Sequence, residues 1–196
     1  AFLDPATCAH LIALIDLGRR PSTIADPNGD TAFRTSETCD LPATDPVVAE
    51  VDAALAAATG LDPLNGEPIQ GQRYAVGQEF KAHTDYFEPD GADFARYCSV
   101  AGNRTWTAMI YLNEPEAGGA TRFKAVDKTI QPEPGKHDIE AAGQPPALPF
   151  NDKICEPGRA TCNGEGALSK VGGEIALRQT KTHQSFDVFS GRIERI

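Results

Sequence analysis

Apolar residues recur at helical spacing in two early stretches of the chain, and from about residue 69 the pattern changes to a period of two. In the first stretch Cys8, Leu11, Ile12 and Ile15 fall on one face behind Asp4-Pro5, and Gly18 closes the pattern. Asp suits an N-cap because its carboxylate accepts from the free N–H groups of the first turn. Pro suits the first turn because it lacks an N–H that would have no partner there. The second stretch repeats the device, with Asp45-Pro46, then Val48, Val51, Leu55 and Ala58 on one face, and Gly60 as terminator. Between the two, residues 20–42 are rich in Pro, Asp and Thr and read as loop with short extended pieces.

Alternation beyond Ile69 predicts short strands at 69–76, 79–85, 104–112, 120–126, 173–180 and 182–189. Helices followed by a run of strands predict an α+β fold whose β part is an antiparallel sandwich or jelly roll. Residues 131–170 are dense in Pro and Gly and read as a long loop or insertion. Residues 88–104, with Gly, Asp and Pro, read as a mobile connection, and Gly118-Gly119 as a tight turn.

Composition narrows the class. A chain of 196 residues with 40% apolar and 23% charged residues suits one soluble domain with a sizeable core. No apolar run approaches the roughly 20 residues needed to span a bilayer. The first residues lack a basic segment and run straight into a capped helix, so no signal peptide is expected. A net charge of −10 argues against nucleic acid or an anionic membrane as partner, since both reward Lys and Arg. The five cysteines lack the close pairs of a zinc site. Cys8 falls in a helix pattern and Cys39 and Cys98 in loops. Free thiols in a reducing cytoplasm are the expectation.

The chemistry concentrates in Gln72–Phe87, where His83-Thr84-Asp85 sets an imidazole and a carboxylate two residues apart. In an extended segment both point to the same side, so they can take adjacent positions on a metal. One further His would complete the facial triad of a non-haem Fe(II) oxygenase, which leaves coordination sites open.

That string, together with Arg104–Asn113 and Gly118–Phe123, resembles the prolyl 4-hydroxylase branch of the 2-oxoglutarate- and Fe(II)-dependent dioxygenases, its short bacterial members above all. The resemblance covers residues 1 to about 136 and implies a double-stranded β-helix (jelly roll) with the N-terminal helices packed on the sheet. It implies one domain over 1–196, with a helical support region at 1–68 and a jelly-roll core at 69–196 interrupted by the irregular 131–170 segment. The implied cofactors are Fe(II) and 2-oxoglutarate, and the resemblance also admits ascorbate. The implied substrate is a prolyl residue in a peptide or protein, hydroxylated with release of succinate and CO2.

The resemblance makes His83 and Asp85 iron ligands and assigns Tyr74, Tyr111 and Thr121 to the 2-oxoglutarate pocket. For the distal ligand the family spacing points near residue 155, where the chain has Cys155 and no His. His10 belongs to the first helix, and His137 comes early for the strand concerned. His183 is followed by Val188 and Gly191 at the family's spacings of five and eight, which makes it the expected third ligand, with Arg192 as the clamp for the co-substrate's far carboxylate. The rival expectation is a non-catalytic jelly-roll binding module that has lost the distal half of its iron site.

Overall fold

The computed structural model describes residues 1–24, 29–123, 128–141, 153–154 and 173–182. Helix α1 spans Pro5–Gly18, and the Asp4 carboxylate accepts from the N–H groups of Ala6 and Thr7. Helix α2 spans Pro46–Thr59, capped by Asp45 on Val47 and Val48. His10 of α1 contacts the same Asp45 carboxylate at 2.9 Å, so one cap also ties the two helices together. That His10 bond, first among several, holds the Asp45 carboxyl below its ordinary range.

The two predicted terminators act differently. Gly60 has φ 66°, and its N–H returns to Ala56, as a left-handed C-cap requires. Gly18 is followed by extended Arg19, and a Cβ at Gly18 would lie 2.7 Å from Cys39 Sγ. Close packing against the sheet is what demands glycine at that position.

Strands β1 (Arg20–Pro21), β2 (Glu37–Asp40), β3 (Gln70–Tyr74), β4 (Asn103–Tyr111), β7 (His137–Ala141) and β9 (Gly173–Thr182) form one sheet in the order β1-β2-β3-β9-β4-β7. Strands β5 (Thr121–Phe123), β6 (Lys128–Ile130) and β8 (Lys153–Ile154) form a second, in the order β6-β5-β8. The contacts within each sheet are antiparallel. This is the α+β arrangement expected, with helices on one face of a sheet. No helix among the described residues is long and apolar enough to cross a membrane.

Strand β4 shows how the layers divide. Ala108, Ile110 and Leu112 join Leu11, Ile15, Val51 and Leu55 in the main core under the helices. Met109 and Tyr111, on the opposite face, cluster with Phe123 and Ile130 of the second sheet. Period-two alternation thus seals one side of β4 against helices and turns the other toward the space between the sheets. On β3, Gly71 lies on the helix side, where a Cβ would meet Ile15 Cγ1 at 2.2 Å. Its neighbours Gln72 and Tyr74 therefore occupy the inner side.

Several expectations need correction. Residues 79–85 form no continuous strand; Phe80 makes an isolated antiparallel bridge to Arg34, and His83 is a second bridge position. Part of the supposed long loop is regular, because β7 pairs with β4 from Trp106↔Ala141 to Ile110↔His137, and β8 pairs with β5. The predicted mobile connection contains the short helix α3, Phe94–Cys98. Cys39 lies in β2 and Cys98 in α3 instead of in loops, and with Cys8 both are buried free thiols. Cys155, Cys162 and the predicted 182–189 strand beyond Thr182 fall outside the described residues. Gly118 and Gly119 have φ of 78° and 75°, as a tight turn requires.

Gly71→Ala should overpack the fully buried Ile15 and lower stability by about 1–3 kcal/mol. Urea unfolding of the variant beside wild type measures the loss.

Candidate metal and co-substrate site

His83 and Asp85 lie on a connection whose shape is imposed from outside it. Upstream, Thr35 N donates to Glu79 O (2.8 Å), Glu79 N donates to Thr35 Oγ1 (2.7 Å), and Lys81 N donates to Phe33 O (2.9 Å). Downstream, the Asn103 side-chain amide grips Phe87 at both backbone groups. Held between these ties, the imidazole and carboxylate converge, although the segment is not the regular strand from which the sequence predicts it.

The His83 ring nitrogens have distinct tasks. Nδ1 lies 2.7 Å from Lys81 O and donates to it, since a carbonyl can only accept. That tautomer leaves the Nε2 lone pair free to bind a metal, as a ligating imidazole requires. Nε2 is 3.4 Å from Asp85 Oδ1. The ring also stacks on Phe80, with centroids 3.6 Å apart and planes 18° from parallel. On the other arm, Thr107 Oγ1 donates to Asp85 Oδ2 at 2.6 Å.

This donor set fits a divalent metal. Two ligand atoms each about 2 Å from one ion lie roughly 3 Å apart when adjacent, and the observed separation is 3.4 Å. One imidazole with one carboxylate suits iron and leaves positions open. Among the described residues no third His, Cys, Asp or Glu gathers with them into a group of three. His183 and Arg192 lie outside the described residues. His137 pairs with Ile110, which belongs to the helix-side core, and its ring sits 4.5 Å from Phe2. It faces away from Asp85 because residues directly opposite in a ladder share a face. His10 is likewise elsewhere, bound to Asp45.

The three residues expected around the co-substrate share the inner space. Tyr111 is fully buried in the cluster with Met109. Thr121 is buried, and its Oγ1 reaches Met109 Sδ at 3.7 Å. Tyr74 donates its hydroxyl to Gln72 Oε1 at 2.8 Å, a side chain itself buried on the same face.

Three further residues near the pair were not singled out from sequence. Arg34 lies over the Phe80 ring at 4.6 Å and donates to Ser36, Thr38 and the Thr23 carbonyl. Burial pushes its guanidinium below the ordinary value, against the opposing influence of Tyr74 and Asp85. Arg104 forms a bidentate pair with Glu67 at 2.8 and 3.0 Å and stacks over Phe87 at 4.9 Å. Burial opposes its charge too, but Glu67 and Asp85 act against that and its value is raised. Thr107 is the third. The one available signal for it was parity, since it shares a strand face with Met109 and Tyr111.

Residues 69–144 match the model of the 2OG-Fe(II) oxygenase superfamily. The superfamily's cofactors are Fe(II) and 2-oxoglutarate. Among curated proteins, the chain is 37% identical over 127 residues to Prolyl 4-hydroxylase 2 of Arabidopsis thaliana, covering 62% of this chain and 41% of the relative. It is 31% identical over 142 residues to the human Prolyl 4-hydroxylase subunit alpha-1, covering 68% and 26%. The chain thus spans under half the length of these relatives. Among solved structures it is similar to the viral collagen prolyl hydroxylase of Paramecium Bursaria Chlorella virus-1 in its 2OG complex, with TM-score 0.55, 23% identity and 91% coverage of both chains. It is also similar to a Trichoplax adhaerens prolyl hydroxylase solved with a hypoxia inducible factor peptide, with TM-score 0.62, 12% identity and coverage of 92% and 80%. These structures share its fold.

His83→Ala and Asp85→Ala should each abolish binding of Fe(II) or Co(II) while leaving the circular dichroism spectrum unchanged. Anaerobic metal titration of the two variants decides it.

Proposed function

We propose, from the match of residues 69–144 to the model of the 2OG-Fe(II) oxygenase superfamily, that the protein is a 2-oxoglutarate- and Fe(II)-dependent dioxygenase that hydroxylates a prolyl residue in a peptide or protein. The observation that carries this reading is the 3.4 Å approach of His83 Nε2 to Asp85 Oδ1, with the other atoms of both groups engaged. The curated relatives that are prolyl 4-hydroxylases support the choice of substrate. The two sheets and their shared inner cluster support the finer reading of the fold as a double-stranded β-helix.

In this reading His83, Asp85 and His183 hold the iron. Thr182, the chain neighbour of His183, pairs with Asn103, whose side chain grips Phe87 two residues beyond Asp85. Tyr74, Tyr111 and Thr121 line the co-substrate pocket, with Arg192 meeting the far carboxylate. Bound together, Fe(II) and 2-oxoglutarate would activate O2, one oxygen atom going to the substrate carbon as a hydroxyl and the other into succinate as 2-oxoglutarate loses CO2. The protein's own work is placement. Lys81 O fixes the imidazole tautomer, and Thr107 and Asn103 fix the carboxylate arm. The buried Tyr111, Met109, Phe123 and Ile130 exclude water from the inner face. Arg34 and Arg104 add positive charge beside a site that takes a dianion. Ascorbate as a co-reductant and a cytoplasmic setting complete the reading; the free thiols of Cys8, Cys39 and Cys98 accord with the latter.

A binding module without catalysis is the second reading. It is favoured by the two-ligand set, since the described residues supply His83 and Asp85 alone. The deciding experiment incubates the protein with Fe(II), 2-oxoglutarate and proline-rich peptides and follows succinate together with a gain of one oxygen on proline. Succinate with hydroxyproline establishes the enzyme; metal binding without either product establishes the module.

His183→Ala should lose metal as fully as His83→Ala, whereas His137→Ala should titrate like wild type. The reverse ranking would move the third ligand to β7.

Arg192→Ala should raise the 2-oxoglutarate requirement at least about a hundredfold, because losing one partner of a buried charge pair costs roughly 3–5 kcal/mol and about 1.4 kcal/mol is tenfold. Tyr74→Phe and Tyr111→Phe each remove one neutral donor and should cost on the order of 1 kcal/mol. Titration of 2-oxoglutarate against the metal-loaded protein ranks the three.

A further inference from the structure

The carboxylate ligand sits on a segment that cannot hold it unaided. Within residues 82–87 the one bridge position among the described residues is His83, and Asp85 itself lies in a bend. Two side chains of β4 supply what a ladder would have supplied. Asn103 Oδ1 accepts from Phe87 N at 3.0 Å, and its Nδ2 donates to Phe87 O at 2.7 Å. One amide side chain thereby reproduces the paired N–H and C=O contacts of an antiparallel strand residue. The same Oδ1 accepts from Arg104 N at 2.9 Å, which fixes the amide against its own strand.

Four residues along β4, Thr107 Oγ1 donates to Asp85 Oδ2 at 2.6 Å from a wholly buried position. A hydroxyl on one carboxylate oxygen leaves the other, Oδ1, as the atom turned toward His83 Nε2. Met109 and Tyr111 continue the same face into the inner cluster, so β4 itself is rigidly packed on both sides. A bond from such a strand is a fixed reference for a ligand on a loop.

We propose that Thr107 and Asn103 are the positioning residues of the Asp85 arm: Asn103 sets the backbone just beyond the ligand, and Thr107 occupies Oδ2 so that Asp85 offers a metal Oδ1 alone. A carboxylate that gives up one oxygen in this way takes a single coordination position and leaves the others for co-substrate and oxygen. The assignment rests on the reading of His83 and Asp85 as ligands.

Anaerobic Co(II) titration of the apo-protein, followed by the visible d–d spectrum, tests it without any turnover. Thr107→Val, which keeps the shape and deletes the donor, should weaken Co(II) binding by about 10–100-fold, as loss of a partner behind a ligand does. Its spectrum should change, because a freed Oδ2 can also reach the metal. Thr107→Ser, which restores the donor, should return both affinity and spectrum to within about threefold of wild type. Asn103→Ala should weaken binding about tenfold with the wild-type spectrum, since it loosens the arm without freeing Oδ2. Should the valine variant not fold, Thr107→Ala read against Thr107→Ser carries the same comparison. Wild-type affinity and spectrum in both Thr107→Val and Asn103→Ala overturn the proposal. If His83→Ala binds Co(II) like wild type, the ligand reading itself falls and the proposal with it. If His83→Ala loses metal while Thr107→Val is unchanged, the positioning role alone falls.

Discussion

Strand β4 serves two environments at once, and the alternation of its side chains is the constraint on which the rest of the molecule depends. Ala108, Ile110 and Leu112 are locked under α1 and α2, so the strand cannot slide or rotate without opening the main core. A slip of one residue would exchange its two faces, sending Thr107, Met109 and Tyr111 into the helices. Because the helix side is fixed, the inner side is fixed as well. The Thr107 hydroxyl then stands at one place in space, and Asp85 is bonded to it at 2.6 Å. Stability on one face thus becomes geometry on the other.

The segment that carries His83 and Asp85 illustrates why such a reference is needed. Between β3 and β4 the chain forms one short helix and otherwise follows an irregular path. Its coordinates are dictated by Thr35 and Phe33 on one side and by Asn103 and Thr107 on the other. Phe80 adds a third kind of support, carrying the His83 ring on its face and sitting beneath the Arg34 guanidinium. Aromatic stacking and a carbonyl bond to Nδ1 leave the imidazole little freedom, while its Nε2 faces Asp85 Oδ1 at 3.4 Å. His83 Nδ1 and Asp85 Oδ2 are each held by a hydrogen bond, and Nε2 and Oδ1 are the atoms that approach one another.

Much of this was legible in the sequence where the signal is local. Asp4-Pro5 and Asp45-Pro46 announce helix starts because capping needs one carboxylate and one missing N–H within a turn. Gly60 announces a stop because the left-handed cap excludes most other residues. The faces of β4 follow from alternation over 104–112. The approach of His83 to Asp85 was legible in their two-residue spacing. What escaped notice depends on contacts distant in sequence. The supposed strand at 79–85 is held by Thr35, 44 residues away, and no periodicity within the segment reports that. Gly18 looked like a cap, but its need for glycine comes from Cys39 in another element. Strand β7 was hidden by the Pro and Gly around it, and it forms because β4 offers a free edge for its five residues. Arg34 sat in an apparently featureless loop, and only the fold carries it onto Phe80.

The central claim is that a metal sits between His83 Nε2 and Asp85 Oδ1, with Oδ2 retained by Thr107. Anomalous diffraction from crystals of the protein grown with Mn(II) or Fe(II) measures this directly. The account predicts a single strong peak about 2 Å from both Nε2 and Oδ1, with the Thr107–Oδ2 bond intact. A peak bound to Oδ2, or one remote from His83 and Asp85, would contradict it.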